Sequence, residues 1–276
     1  MNRNRLIISA WVIIAWMLST SSAVMGQDAH SQHRTHSAEA TEKVFQAKLS
    51  VPDEIRTGSS FTINIHIQDD KGQRVADFDI FQEKLMHLIL VSDDLDFFRH
   101  LHPEYKGDGH FQTKAIVPSV GAYTLFSDYK PAGQREQLSV LKLRIKGAKR
   151  SSGVTDTNIT EKTIEDTEVS INFSPRMVKA NEDIIIMFDL KQVLDGMPVT
   201  KLEPYLGEKG HLVVIRKSAA LTIKDYIHAH AMEQEGGASG IKFMTRFPDK
   251  GLYKLWCQFN REGRILTADF WINIER

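Results

Sequence analysis

The sequence predicts an all-β chain, two tandem Ig-like antiparallel β-sandwich domains after a signal peptide. Three observations carry this. Short segments alternate apolar and polar residues with a period of two, as in Phe61-Thr62-Ile63-Asn64-Ile65-His66-Ile67 and Leu141-Lys142-Leu143-Arg144-Ile145. Pro-x-x-Gly tetrapeptides, Pro118 to Gly121 and Pro248 to Gly251, join pairs of such segments. In these turns Pro pre-sets φ and Gly is free to take positive values. A set of anchor residues also recurs once, in the same order, along both halves.

The N-terminus comes first. Arg3 and Arg5 precede an apolar run from Leu6 to Leu18, and small residues follow from Ser19 to Ala23. That order is a secretory signal peptide, and the run is shorter than the roughly 20 apolar residues of a membrane-spanning helix. With Val24 and Gly26 at the −3 and −1 positions, residues 1–26 are removed and the product begins at Gln27. The expected location is periplasmic or secreted, with membrane contact only through the uncleaved signal peptide. Residues 27–43 form a polar tail carrying His30, His33 and His36. The 35 Lys plus Arg balance the 35 Asp plus Glu, so nothing general points to nucleic acid as a partner. Cys257 is the only cysteine. An intramolecular disulfide is excluded, and stability must come from hydrophobic cores.

The repeat sets the domain count. Met86-His87-Leu88-Ile89-Leu90-Val91 matches Gly210-His211-Leu212-Val213-Val214-Ile215, and His100-Leu101-His102 matches His228-Ala229-His230. Pro118, Gly121, Tyr123 and Leu125 match Pro248, Gly251, Tyr253 and Leu255 at identical spacing, with Phe126 against Trp256. Upstream, Phe61, Ile63, Ile65 and Ile67 match Ile184, Ile186, Phe188 and Leu190. Each copy is long enough for its own core. The expected domains are 44–147 and 169–276, with 148–168 as a polar linker. About seven strands per copy at short turn spacing fit an antiparallel sandwich. The continuous apolar runs Leu88–Val91 and Leu212–Ile215 fit strands buried on both faces.

The histidines are the chemical signal. Each copy has one His opening a central strand, His87 or His211, and one His-x-His, His100/His102 or His228/His230. Residues i and i+2 of a strand share a face, so two imidazoles can meet one metal ion. Met232 continues the face of His228 and His230; the first copy has Glu104 there, after Pro103. Imidazole suits copper, zinc and nickel, and a thioether shifts preference towards Cu(I). The expected metal residues are therefore His87, His100, His102, His211, His228, His230 and Met232. His66 faces Asp189 in the repeat and has no expected role. No His follows Cys257, as a type 1 copper site would need, so its thiol is expected to be buried and structural. No catalytic motif is present, so no enzyme is expected.

The stretches HLILVSDDLDFFRHLHPE and GHLVVIRKSAALTIKDYIHAHAME resemble a bacterial exported family with a "GHLVVIS…D…HxHP" block, similar to YtkA-like and FixH-like sandwich modules. The resemblance implies a sandwich fold and a place in the cell envelope, in metal-transport or other envelope functions. The second copy departs from the block, with Ala231-Met232 after the His pair where the first has Pro103-Glu104. Two readings follow. One is an exported envelope protein binding copper, zinc or another transition metal through its His-x-His pairs. The other is a structural or protein-interaction module whose partner is an envelope protein and which binds no metal. Geometry separates them: a site requires His87 to approach His100/His102, and His211 to approach His228/His230.

Overall fold

In the computed structural model, which describes residues 44–147, 156–232 and 240–275 except for the His230 side chain, the alternating segments are strands. The signal peptide and the His30/His33/His36 tail lie outside the described residues. The first copy holds β1 (Phe45–Ser50), β2 (Ser60–Asp69), β3 (Met86–Ser92), β4 (Phe98–Leu101), β5 (Glu104–Gly107), β6 (His110–Ile116), β7 (Gly121–Tyr129) and β8 (Gln137–Ile145). The second holds β9 (Glu161–Ile164), β10 (Thr167–Ser174), β11 (Asp183–Gln192), β12 (His211–Arg216), β13 (Tyr226–His230), β14 (Ile241–Arg246), β15 (Gly251–Arg261) and β16 (Arg264–Ile274).

Each copy is a pair of four-stranded antiparallel sheets, ordered β1-β2-β6-β5 and β4-β3-β7-β8 in the first, and β9-β10-β11-β14 and β13-β12-β15-β16 in the second. Seven strands correspond between the copies, and each adds one edge strand of its own, β5 or β9. β9 corrects the expected linker. Glu161–Ile164 pairs with β10, so only the earlier part of 148–168 connects the copies. Its polar composition hid a short edge strand with just Ile164 packed on the core.

The period-two pattern decides what each strand buries. In the first copy, Ile63, Ile65, Leu88, Leu90, Phe111, Tyr123 and Leu125 fill the space between its sheets. Ile186, Phe188, Leu212, Val214, Phe243, Tyr253 and Leu255 do so in the second, together with the buried Cys257 thiol. Burial raises the pKa of that thiol, as expected of a structural cysteine. Both turn glycines, Gly121 and Gly251, take φ of 138°. Past each turn, the buried tyrosine donates its hydroxyl back to the backbone: Tyr123 to the Ser119 carbonyl and Tyr253 to the Asp249 carbonyl, both at 2.7 Å.

The outer faces of β3 and β12 are buried as well, as their continuous apolar runs predict, and the cover is the other copy. Ile89, Val91, Phe98 and Phe126 of the first copy cluster with Val213, Ile215, Leu221, Trp256 and Trp271 of the second. Phe98 stacks on Trp256 at 4.8 Å between ring centroids, and Tyr226 stacks on Phe126 at 4.7 Å. Because Phe98 matches Tyr226 and Phe126 matches Trp256, these are one contact made twice, as across a two-fold axis. The sandwiches are thus packed together through a third apolar cluster.

Leu125 and Leu255 are fully buried in equivalent strands. Truncating either to Ala is expected to cost about 2–5 kcal/mol in denaturant unfolding, as for other large-to-small core changes. A loss below about 0.5 kcal/mol, the level of a surface substitution, would show that these faces are not core.

Candidate metal centre

Alternation that sends Leu88 and Leu90 inward sends His87, Ile89 and Val91 outward, and the same holds for His211, Val213 and Ile215 on β12. On β4, Phe98 and His100 share the outward face, and on β13 so do Tyr226 and His228, while Ala229 enters the core. His87, His100 and His102 of the first copy and His211 and His228 of the second therefore converge at one end of the contact between the copies. His87 lies 6.2 Å from His211 and 5.9 Å from His228, ring centroid to centroid, and His100 lies 6.0 Å from His211.

The expected grouping forms in the first copy; in the second, His211 meets His228, while Ala231 and Met232 pair with β14 of the opposite sheet. In the first copy His87, His100 and His102 come together, with one ligand nitrogen from each all within 4.8 Å of one another. In the second, His211 Nδ1 stands 3.2 Å from His228 Nε2. The backbone of His230 pairs with His211, and its side chain lies outside the described residues. Met232 is half-buried just past β13, its N–H donating to the Lys242 carbonyl. Glu104 does not extend the first set. After Pro103 the chain leaves its sheet, and Glu104 opens β5 in the opposite one. His66 stacks on His110 at 4.5 Å, away from this cluster.

The proton positions follow from the partners. A neutral imidazole has one N–H and one lone pair. His87 Nε2 faces the Phe81 carbonyl oxygen at 3.2 Å, an atom that only accepts, so the proton of His87 is on Nε2 and its Nδ1 carries the lone pair. His100 Nδ1 donates to Gln258 Oε1 of the second copy at 2.8 Å, so its lone pair is on Nε2. These two lone-pair nitrogens, His87 Nδ1 and His100 Nε2, stand 3.0 Å apart. With the protons so placed, two lone pairs face each other there, and a cation between them would remove the repulsion. His102 Nε2 is buried beside them with no hydrogen-bond partner.

Burial, first of all, holds these rings neutral. It lowers the pKa of His87 and of His102 to about 3, opposed at His87 by the Phe81 carbonyl and reinforced by neighbouring histidines and Lys84. It also pushes His100 well below its ordinary value, helped by His102 and His87. The proton is thus a poor cation for this gap, whereas neutral imidazole is the metal-binding form.

Sequence reasoning missed the residues that orient the histidines. Gln258 bonds His100, and the matching Asp128 accepts from His228 Nδ1 at 3.5 Å, so each copy's paired histidine is held by the other copy. Phe81 packs edge-on against His87, and Tyr205 likewise against His211. The Tyr205 hydroxyl has its pKa pushed up to about 12 by burial. Asp128 and Gln258 fall two residues after the matched Phe126 and Trp256, so the repeat marks them as equivalent, but nothing in the sequence says which surface they meet. A cleft of about 510 Å³ between the copies has Phe98, Arg99, His100, Tyr205, Trp256 and Gln258 among its lining residues and brings solvent to the edge of the cluster.

A pH dependence follows for the metal-free chain. The folded pKa values of His87 and His102, about 3, lie below the ordinary histidine value of 6.5. The unfolded state then binds more protons, so this contribution to stability is complete above about pH 6.5 and is lost as pH falls towards 3. Each histidine contributes a slope of up to about 1.4 kcal/mol per pH unit in that window. Denaturant unfolding at about pH 7.5 and about pH 5 is expected to show lower stability at the acid value, with a shallower fall in His87→Gln. Equal pH slopes in the two chains would mean that His87 is not held neutral.

With the geometry in hand, comparison with known proteins adds the following. Among curated proteins nothing matches the chain. Among solved structures, a two-domain fibronectin type III segment of chicken tenascin is similar at 11% identity, covering 82% of this chain and 97% of that one, with a TM-score of 0.24. A PKD domain of a peptidase from a Thermoplasmatales archaeon is similar at 12% identity, covering 37% of this chain and 94% of its own, with a TM-score of 0.25. Salmonella alpha-2-macroglobulin is similar at 13% identity over 83% of this chain, which spans only 14% of that one, with a TM-score of 0.27. At these scores the likenesses carry no argument about function. The match that identifies the chain follows its repeat, over residues 40–143 and 162–276: the protein belongs to the family described as Domain of unknown function (DUF8832).

Proposed function

We propose that the protein is an exported, non-catalytic envelope protein that binds a transition-metal ion, copper or zinc, on His87, His100 and His102. The observation that carries this reading is the 3.0 Å approach of two lone-pair nitrogens, His87 Nδ1 and His100 Nε2. Two nitrogens bound to one ion at ~2.0–2.1 Å each stand roughly 3.0–3.4 Å apart for ligand angles between about 95° and tetrahedral. His102, whose Nε2 is buried beside them without a partner, supplies the third imidazole. In the second copy His211 and His228 occupy the equivalent places, with Nδ1 and Nε2 3.2 Å apart. Export rests on the signal-peptide pattern of residues 1–26, and the YtkA-like and FixH-like resemblance agrees with an envelope role.

The test is metal titration of the intact chain with Zn²⁺, and with Cu⁺ without oxygen, at micromolar concentration and neutral pH. Wild type is expected to bind, and His100→Ala/His102→Ala to lose at least about 100-fold in affinity at the first-copy site, more than the 10–100-fold typical of a lost outer partner. No binding by wild type would overturn the reading and leave a structural or protein-interaction module. Unchanged binding by the double variant would overturn the assignment to this triad.

A further inference from the structure

Resting on the metal reading above, we propose that Gln258 of the second copy is a positioning residue for the first copy's site: its Oε1 holds His100 in the Nδ1-protonated form and so keeps Nε2 open as a ligand atom.

A neutral imidazole has one proton and two places to put it. If Nδ1 of His100 lacked an acceptor, the proton would move to Nε2. From there it would donate across 3.0 Å to His87 Nδ1. That ordinary hydrogen bond would occupy both lone pairs, and an ion would have to break it before binding. The Gln258 bond at 2.8 Å prevents this. With Gln258 Nε2 donating to Thr267 Oγ1 at 3.1 Å, from the residue opposite it on β16, Oε1 meets His100. Gln258 is 7% exposed, so water competes little for the contact.

The reciprocal contact supports the same role. Asp128 of the first copy occupies the matching place and faces His228 of the second. Both orienting groups are oxygen acceptors, and both cross from one copy to the other. A carboxylate already does at position 128 what an amide does at 258. The structure thus contains its own indication of which substitution Gln258 tolerates. It also follows that neither sandwich builds a complete site from its own residues.

The experiment compares wild type with Gln258→Leu and Gln258→Glu in the intact chain. Nitrogen NMR of the metal-free proteins reports which ring nitrogen of His100 is protonated. Wild type and Gln258→Glu are expected to show Nδ1–H, and Gln258→Leu to show Nε2–H. Zn²⁺ affinity, read at the His100 signals against a competing chelator, is expected to fall about 10–100-fold in Gln258→Leu, as for other lost outer-shell partners of a ligating histidine. Gln258→Glu should restore it. If Gln258→Leu does not fold, the near-isosteric Gln258→Met takes its place. A tautomer unchanged from wild type in the folded apolar variant, or a wild-type affinity there, would overturn the positioning role while leaving the metal reading intact. Failure of wild type to bind Zn²⁺ or Cu⁺ would instead overturn the metal reading itself.

Discussion

The structure depends on one constraint: in each copy, the sheet containing β3 or β12 is apolar on both faces. One face is covered by the copy's own second sheet. The other holds Ile89, Val91, Phe98 and Phe126, or Val213, Ile215, Trp256 and Trp271. Fully burying such side chains stabilises by about 1.5–3 kcal/mol each, and exposing them together would leave a patch larger than soluble monomers carry. The copies therefore cover each other. The histidines share those faces by strand alternation, so the packing that hides the aromatic residues also takes the imidazoles out of water. Burial at the interface is the first cause of their neutrality, reinforced by Lys84 and the neighbouring histidines.

The same interface explains why the contacts come in pairs. Two equivalent surfaces meeting face to face repeat each contact about a two-fold axis. The Phe98–Trp256 stack has its image in Tyr226–Phe126, and the His100–Gln258 contact in His228–Asp128. Joining the copies in one chain lets the images diverge. Phe81 becomes Tyr205, Phe98 becomes Tyr226, and Asp128 becomes Gln258. The Tyr226 hydroxyl is buried with no hydrogen-bond partner, a cost its phenylalanine counterpart avoids. Burial raises its pKa well above the ordinary value, with Asp128 adding to the effect.

Much of this was legible in the sequence. Period-two alternation gave the inner faces of β2, β8 and β11. The ordered anchors gave seven equivalent strands, and the continuous runs Leu88–Val91 and Leu212–Ile215 marked strands buried twice. The histidine spacing put His87 with His100 and His102. What the sequence withheld was what meets what. A repeat says which residues are equivalent, not which are neighbours, so the contact between copies and the crossing roles of Gln258 and Asp128 stayed hidden. β9 was missed because a short edge strand with one core residue reads as linker. Met232 was misplaced because period-two reasoning ran past the end of β13: Ala231 bridges Phe243 of the opposite sheet, the same change of sheet that follows Pro103 in the first copy.

The unresolved repulsion at His87 and His100 bears on how the fold and a ligand are linked. An isolated pair of facing lone pairs would relax by rotating a ring or moving a proton. Here both escapes are blocked, since the Phe81 carbonyl holds the proton of His87 on one side and Gln258 holds that of His100 on the other. Those acceptors belong to different copies, so the arrangement persists only while the copies stay packed. The apolar interface thus sustains a local cost that a bound cation removes. An ion that binds only the packed form stabilises it by mass action, about 2.7 kcal/mol at a hundredfold excess over Kd. The stabilisation would fall on the contact between the copies, because the ligands are oriented from both sides of it. If the triad holds an ion as proposed, the site and the domain interface would form one cooperative unit, in which loosening the aromatic stacks weakens the site and filling the site tightens the stacks.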